Sequence, residues 1–198
     1  MEIISYEEIK ARLNKALDRL YVRDWYLLKN KVHERSITHK LAEYLQEEFP
    51  NYDVDCEYDR DCENTTGNFK KQFHELVTKE LRARKNKITK IPTDGWIEDN
   101  KLDEYINIIH RNFYPDIIVH KRGTNRHNLL IIEAKKENTD TEFDNRKLTA
   151  YTQTELYGNN LSYNLGVLLV LSIDESFCRQ AVDITYYPDN QNQKKKQK

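Results

Sequence analysis

Three side chains able to do acid, base and metal chemistry stand on two apolar segments. Asp116 follows Tyr114-Pro115, while Glu133 and Lys135 close the run Leu129-Leu130-Ile131-Ile132-Glu133-Ala134-Lys135. Alternation makes Asp116, Ile118 and His120 one face of a first strand, and Leu129, Ile131, Glu133 and Lys135 one face of a second. Between them Arg122-Gly123-Thr124-Asn125-Arg126 is polar, contains a glycine and is short enough to close an antiparallel hairpin. A turn centred on Thr124-Asn125 sets Asp116 directly opposite Glu133, with Cβ atoms about 4.5–5.5 Å apart. Two carboxylates so placed repel unless a cation or a proton lies between them. A hard divalent cation with oxygen ligands suits that position, and Lys135 adds a positive charge beside it.

These strands need elements to hold them. Ser5 and Glu8 form a capping box, and Ile9, Leu13, Ala16, Leu17 and Leu20 repeat at helical spacing, predicting a helix into the mid-twenties. A second helix is predicted over about Val32 to Glu48, ending before Pro50, with Ile37, Leu41, Tyr44 and Leu45 inward. At about 100° per residue Glu34 falls in line with Leu41 and Leu45 and points to the core side, whereas Glu43 points away. The segment from Asp53 to Tyr58 alternates as a strand. From Asp59 to Asn112 the chain reads as an insertion. It contains an amphipathic helix bearing Phe69, Phe73, Leu76, Val77 and Leu81, and a loop from Thr89 to Asn100. After Lys135, a helix from Glu142 to about Tyr157 carries Phe143, Leu148 and Tyr151, and Gly158-Asn159-Asn160 ends it. Leu165 to Leu171 is a continuous apolar run, the pattern of a strand buried on both faces. A last strand, Ala181 to Tyr187, turns Val182, Ile184 and Tyr186 inward, and from Asp189 the chain is polar and expected to be disordered. No internal repeat is visible.

The succession helix, strand, strand, strand, helix, strand carries Pro-Asp, a spacer and Glu-x-Lys on its two apolar strands. It resembles the PD-(D/E)XK nuclease superfamily, the restriction-endonuclease-like fold, over about Val32 to Ser172, with 59–112 as extra material. Glu34-Arg35-Ser36 and Val54-Asp55-Cys56-Glu57-Tyr58 are also similar to uncharacterised bacterial proteins of that superfamily. The fold implied is α/β, an αβββαβ core whose mixed central sheet is flanked by helices. The activity implied is a Mg²⁺-dependent endonuclease hydrolysing phosphodiester bonds in DNA, with Mn²⁺ expected to substitute. In that superfamily the first core helix often supplies a further acid, and Glu34 is the matching position. The resemblance thus implies that Asp116 and Glu133 hold the main ion, with the backbone carbonyl of Ala134 as a further ligand. Glu34 would complete the site through a water or a second ion. Lys135 would position the attacking water or offset developing charge. It could act as a base only if burial and a nearby cation lowered its pKa substantially.

The domain organisation expected is an amino-terminal helix (1–30), the nuclease-like domain (31–188) and a basic tail (189–198). Charged residues make up 33% of the 198 and hydrophobic residues 38%, gathered in periodic segments, so the chain is globular rather than disordered. No apolar run approaches the ~20 residues of a membrane span, so no membrane partner is expected. The acidic start, Met1 to Glu8, lacks the basic and apolar regions of a signal peptide, and a cytoplasmic protein is expected. Cys56, Cys62 and Cys178 form no Cys-x-x-Cys pair, which argues for reduced thiols and against zinc. The net charge of −1 gives no global pull on nucleic acid, but Arg82, Arg84, Lys85, Lys87 and Lys90 form a basic cluster and Lys194-Lys195-Lys196 with Lys198 ends the chain.

Each site residue also has a plain structural reading. Asp116 could cap a turn, Glu133 and Lys135 could be an exposed pair, and Glu34 could be a carboxylate favoured by a helix dipole. Together those readings must place three acids beside one lysine on strands apolar enough to be buried, and unpaired buried charge is costly. Asp144 and Lys147 open the helix after the second strand. With Arg122, Arg126 and Lys136 they are candidate neighbours of a phosphate backbone, although solvated surface is the default for each cation. Glu57 is a further candidate on the first strand's polar face, and the thirteen tyrosines could offer base stacking. Leu13, Leu17 and Leu20 could serve a homodimer interface or pack on the domain. Two other functions stay open: a catalytically silent nucleic-acid-binding or protein-interaction module, and a nuclease subunit active only within a defence complex.

Overall fold

Ser5 begins the first helix by accepting the Glu8 N–H on its hydroxyl at 3.3 Å, and α1 (Tyr6–Arg23) follows. The computed structural model describes residues 4–60, 72–78, 105–112, 114–153, 161–173 and 180–188. A short α2 (Trp25–Lys29) leads into α3 (Glu34–Glu48). His33 caps α3, its ring Nδ1 accepting the Arg35 N–H at 3.2 Å, so the helix starts two residues later than Val32. The α1 stripe Ile9, Leu13, Ala16, Leu17 and Leu20 is buried and shares one core with Ile37, Leu41, Leu45 and Phe49. The three leucines considered for a dimer face are therefore inside the chain's own core.

Strand β1 (Asp53–Cys56) is followed in sequence by β2 (Gln72–Thr78) and β3 (Tyr105–Asn112), then β4 (Ile117–His120), β5 (Leu130–Lys136), helix α4 (Glu142–Thr152), β6 (Leu165–Ile173) and β7 (Gln180–Tyr187). Five of the strands form one mixed sheet in the order β1-β4-β5-β6-β7. Among the described strands only β5 and β6 pair in parallel, because α4 carries the chain back between them. The β4–β5 partners Ile117↔Ile132, Ile118↔Ile131 and Val119↔Leu130 keep the register of a turn centred on Thr124-Asn125. Gly123, at φ +83°, supplies the left-handed residue of that turn.

Pleating sends alternate side chains to opposite faces. Ile117, Val119, Leu130, Ile132 and Ala134 join the core under α1 and α3, while Ile118 and Ile131 join a second core with Leu148, Ala150 and Tyr151 of α4. Leu168 of β6 faces the second core and Val167 and Leu169 the first, as an uninterrupted apolar strand requires. The result is a mixed α/β arrangement in three layers, with the sheet between α1/α3 and α4.

Residues 72–78, expected to be helical, form a strand instead. Gln72–Thr78 pairs antiparallel with Tyr105–Asn112 in a separate two-stranded sheet. The apolar spacing there fits either period, and pairing with the isoleucine-rich partner strand decides between them. Phe69, Leu81, the Thr89–Asn100 loop, the Arg82–Lys90 cluster, Cys62, Cys178 and the lysine tail lie outside the described residues, and Cys56 carries a free thiol.

α4 approaches β6 closely at Gly166. A Cβ there would meet Thr152 Cγ2 at 3.0 Å and Tyr187 Cβ at 3.2 Å. A side chain at this position must push α4 outward, since interiors this dense have no spare volume. Gly166→Leu is expected to destabilise the fold by about 1–3 kcal/mol, read as a lower urea midpoint at unchanged slope.

Candidate metal centre

Glu133 follows Ile131 on the α4 face of β5, where everything around it should be apolar. It is 1% exposed. Its Oε2 lies 2.8 Å from the ammonium of Lys147, which lies 2.6 Å from Asp144 Oδ1 one helical turn earlier. Asp144 and Lys147 are buried as well, at 5% and 6% exposure. Neither is the solvated surface group that a charged residue at a helix start suggests. One signal was available, because Asp144, Lys147, Leu148 and Tyr151 share the helical spacing of a single inward stripe. Glu133 Oε1 is buried without a hydrogen-bond partner.

Asp116 sits just before β4, one step beyond Ile117 in the register that leads to Glu133. Its Oδ2 accepts the Ala134 N–H at 2.8 Å and lies 3.9 Å from Lys135 Nζ. Lys135 gathers the rest of the cluster. Its ammonium donates to the Ala134 carbonyl at 3.3 Å and to Glu34 Oε1 at 3.5 Å, and stands 3.6 Å from Asp144 Oδ2. Glu34 is the first residue of α3, and its reach to Lys135 bears out the inward phase read from the helix. Asp116, Glu133, Lys135 and Glu34 therefore come together as anticipated, joined by Asp144 and Lys147.

Among the described residues four carboxylates face two ammonium groups, and three members of the cluster, Glu133, Asp116 and Lys135, depart from their usual titration. Burial holds the Glu133 carboxyl well above the usual glutamate range, against the opposing pull of Lys147. Burial also raises Asp116, partly offset by the Ala134 N–H and by Lys135. Burial alone would lower Lys135, yet Asp116, Asp144, Glu133 and Glu34 together raise it. These neighbours favour the charged ammonium of Lys135.

The donor set fits a hard divalent cation. An orphaned buried carboxylate oxygen, an excess of negative charge and oxygen-only donors are the conditions such an ion satisfies. Among the described residues no group of three or more His, Cys, Asp or Glu side chains is gathered closely enough to hold an ion alone. Mg²⁺ needs only one or two carboxylates and keeps its remaining waters. Asp116 and Glu133 would therefore be its protein anchors, while the Ala134 carbonyl is engaged by Lys135.

The other candidates are engaged with partners outside the cluster or are exposed. Arg122 forms a two-pronged pair with Asp55 beyond the far end of β4, and its N–H bonds Asp53 at 3.0 Å. Glu57 pairs with Arg35 at 2.6 Å, Lys136 donates to the Lys31 carbonyl at 2.9 Å, and Arg126 is exposed. Comparison with protein-family models, with curated proteins and with solved structures finds no match to this chain.

The Glu133 environment has a pH signature. A raised folded-state pKa gives stability that is full below the ordinary glutamate value of 4.5 and is lost as pH rises through the raised value. Glu133→Gln stays neutral throughout. In metal-free buffer the Tm of Glu133→Gln minus that of the wild type should be smallest near pH 4.5 and widen toward pH 8. The scale is about 2–4 °C per kcal/mol. A difference independent of pH would show that Glu133 is not held above its usual range.

Proposed function

We propose that this protein is a Mg²⁺-dependent nuclease that hydrolyses phosphodiester bonds in DNA, on a restriction-endonuclease-like core. The observation carrying this reading is the buried Glu133 with its unpartnered oxygen, set beside Asp116 and Lys135 where β4 begins and β5 ends. The order α3, β1, β4, β5, α4, β6 supports it, with β4–β5 antiparallel and β5–β6 parallel. That succession, with β2 and β3 set aside, is compatible with the αβββαβ core that the resemblance of the Pro-Asp and Glu-x-Lys motifs implies.

Bound Mg²⁺ would supply positive charge against the phosphoryl oxygens and make the attacking water more acidic. The protein does the rest. Asp116 is oriented by the Ala134 N–H, and Glu133 is fixed by Lys147, so neither carboxylate must reorganise on meeting an ion. Lys135, kept charged by its acidic neighbours, can orient the water and offset charge developing on the phosphoryl group. Glu34 restrains Lys135 from the α3 side. The surplus of carboxylates repels a phosphate until a cation enters, which makes substrate binding depend on the ion.

A second reading has its own support. Lys135 and Lys147 themselves pair the carboxylates, as a nucleic-acid-binding or protein-interaction module with a silent site would require. A nuclease subunit active only in a defence complex would share the metal chemistry and lack activity alone. Thermal unfolding with Mg²⁺ or Mn²⁺ beside cleavage of plasmid and of single-stranded DNA separates the three. A nuclease shows ion-dependent stabilisation and EDTA-sensitive cutting, both lost in Asp116→Ala and Glu133→Ala. Stabilisation without cutting marks the dependent subunit, and neither effect marks the silent module. Lys135→Ala should retain the ion-dependent Tm rise while cutting falls at least about a hundredfold.

A further inference from the structure

Six large apolar side chains are exposed among the described residues, and two of them, Tyr114 and Phe143, stand within two residues of cluster members in the chain. Tyr114 is 50% exposed, two residues before Asp116. Phe143 is 37% exposed and precedes Asp144 in the first turn of α4. The Lys147 ammonium, 2.8 Å from Glu133, lies 5.2 Å from the centre of the Phe143 ring. The Arg146 guanidinium lies 5.6 Å from the same centre. Helical spacing places Phe143, Arg146 and Lys147 on one side of α4. Isolated exposed aromatics are ordinary, but these flank a charged site, and one of them has two cations within reach of its ring.

Bases stack on exposed aromatic rings when they are splayed from a partner strand, whereas a duplex keeps them stacked on one another. We infer that Tyr114 and Phe143 are stacking platforms for unpaired nucleobases, so that the strand presented to Asp116 and Glu133 is single-stranded. The inference deepens the nuclease reading by assigning its substrate class. The rings take bases next to the phosphate that meets the carboxylates.

The test is binding read separately from cutting. Fluorescence anisotropy with Ca²⁺ present would compare dT20, rU20 and a blunt duplex of equal length for wild type, Tyr114→Ala, Phe143→Ala, Phe143→Trp and Glu133→Ala. Wild type should bind one of the single strands at least about tenfold tighter than the duplex. Tyr114→Ala and Phe143→Ala should each weaken that binding about 5- to 100-fold, the span expected for one lost stack, and Phe143→Trp should restore it. The tighter of dT20 and rU20 identifies the sugar. Equal single-strand and duplex binding, or single-strand binding unchanged in both alanine variants, overturns the platform assignment even if Mg²⁺-dependent cutting persists. Conversely, loss of single-strand binding in the alanine variants supports it even if no cutting is found, a result that would count against the nuclease reading alone. Circular dichroism of each variant guards against a folding defect.

Discussion

The arrangement turns on a carboxylate placed where the strand pattern calls for an apolar side chain. Glu133 lies on the α4 face of β5, next to Ile131, and is shielded almost completely from water. An isolated ionised carboxylate in such a place costs several kcal/mol, and its neighbours are arranged around that cost. Lys147 reaches it from α4 at 2.8 Å, Asp144 steadies Lys147, and Lys135 balances Asp116 and Glu34 nearby. Each charge brought in to compensate one carboxylate is held by another. The cluster is therefore a network in which no member can be removed without unbalancing the rest.

Packing explains why this network is held firmly. α4 uses one stripe for two purposes, with Leu148 and Tyr151 in the second core and Asp144 and Lys147 continuing the same face toward the site. Its distance from the sheet is set by Gly166, and the Tyr187 hydroxyl bonds Asn145 Oδ1 at 2.7 Å from β7. On the other face α3 is fixed by α1 through a continuous aliphatic core, so Glu34 meets Lys135 from a rigid helix. Carboxylates carried on elements this well packed keep their separation, which is what ion binding and positioned catalysis both need.

The opposite end of β4 offers an internal comparison. Asp55 there meets His120 at 2.9 Å and Arg122, and although its burial disfavours charge, those two partners hold its carboxyl below the usual range. That cluster is satisfied within the chain. The Glu133 cluster has more carboxylates than cations, raised acid pKa values and an unpartnered oxygen. The two acidic clusters at either end of β4 thus differ: Asp55 is paired by His120 and Arg122, whereas Glu133 keeps one buried oxygen unpartnered.

The chain's sequence determined by itself whatever depends on local period and spacing. The α1 stripe, the inward phase of Glu34, the β4–β5 register and the doubly buried β6 follow from residues a few positions apart, and so did the meeting of Asp116, Glu133 and Lys135. Tertiary structure decided what depends on partners distant in sequence. Whether Gln72–Thr78 is helix or strand rests on pairing with Tyr105–Asn112, because its apolar spacing satisfies both periods. Lys147 looks like a surface cation until α4 is laid across the sheet, when its ammonium finds Glu133 fourteen residues earlier. Spacing fixes which face a side chain occupies, but only packing fixes what stands opposite it, and the titration of a buried group follows from what stands opposite.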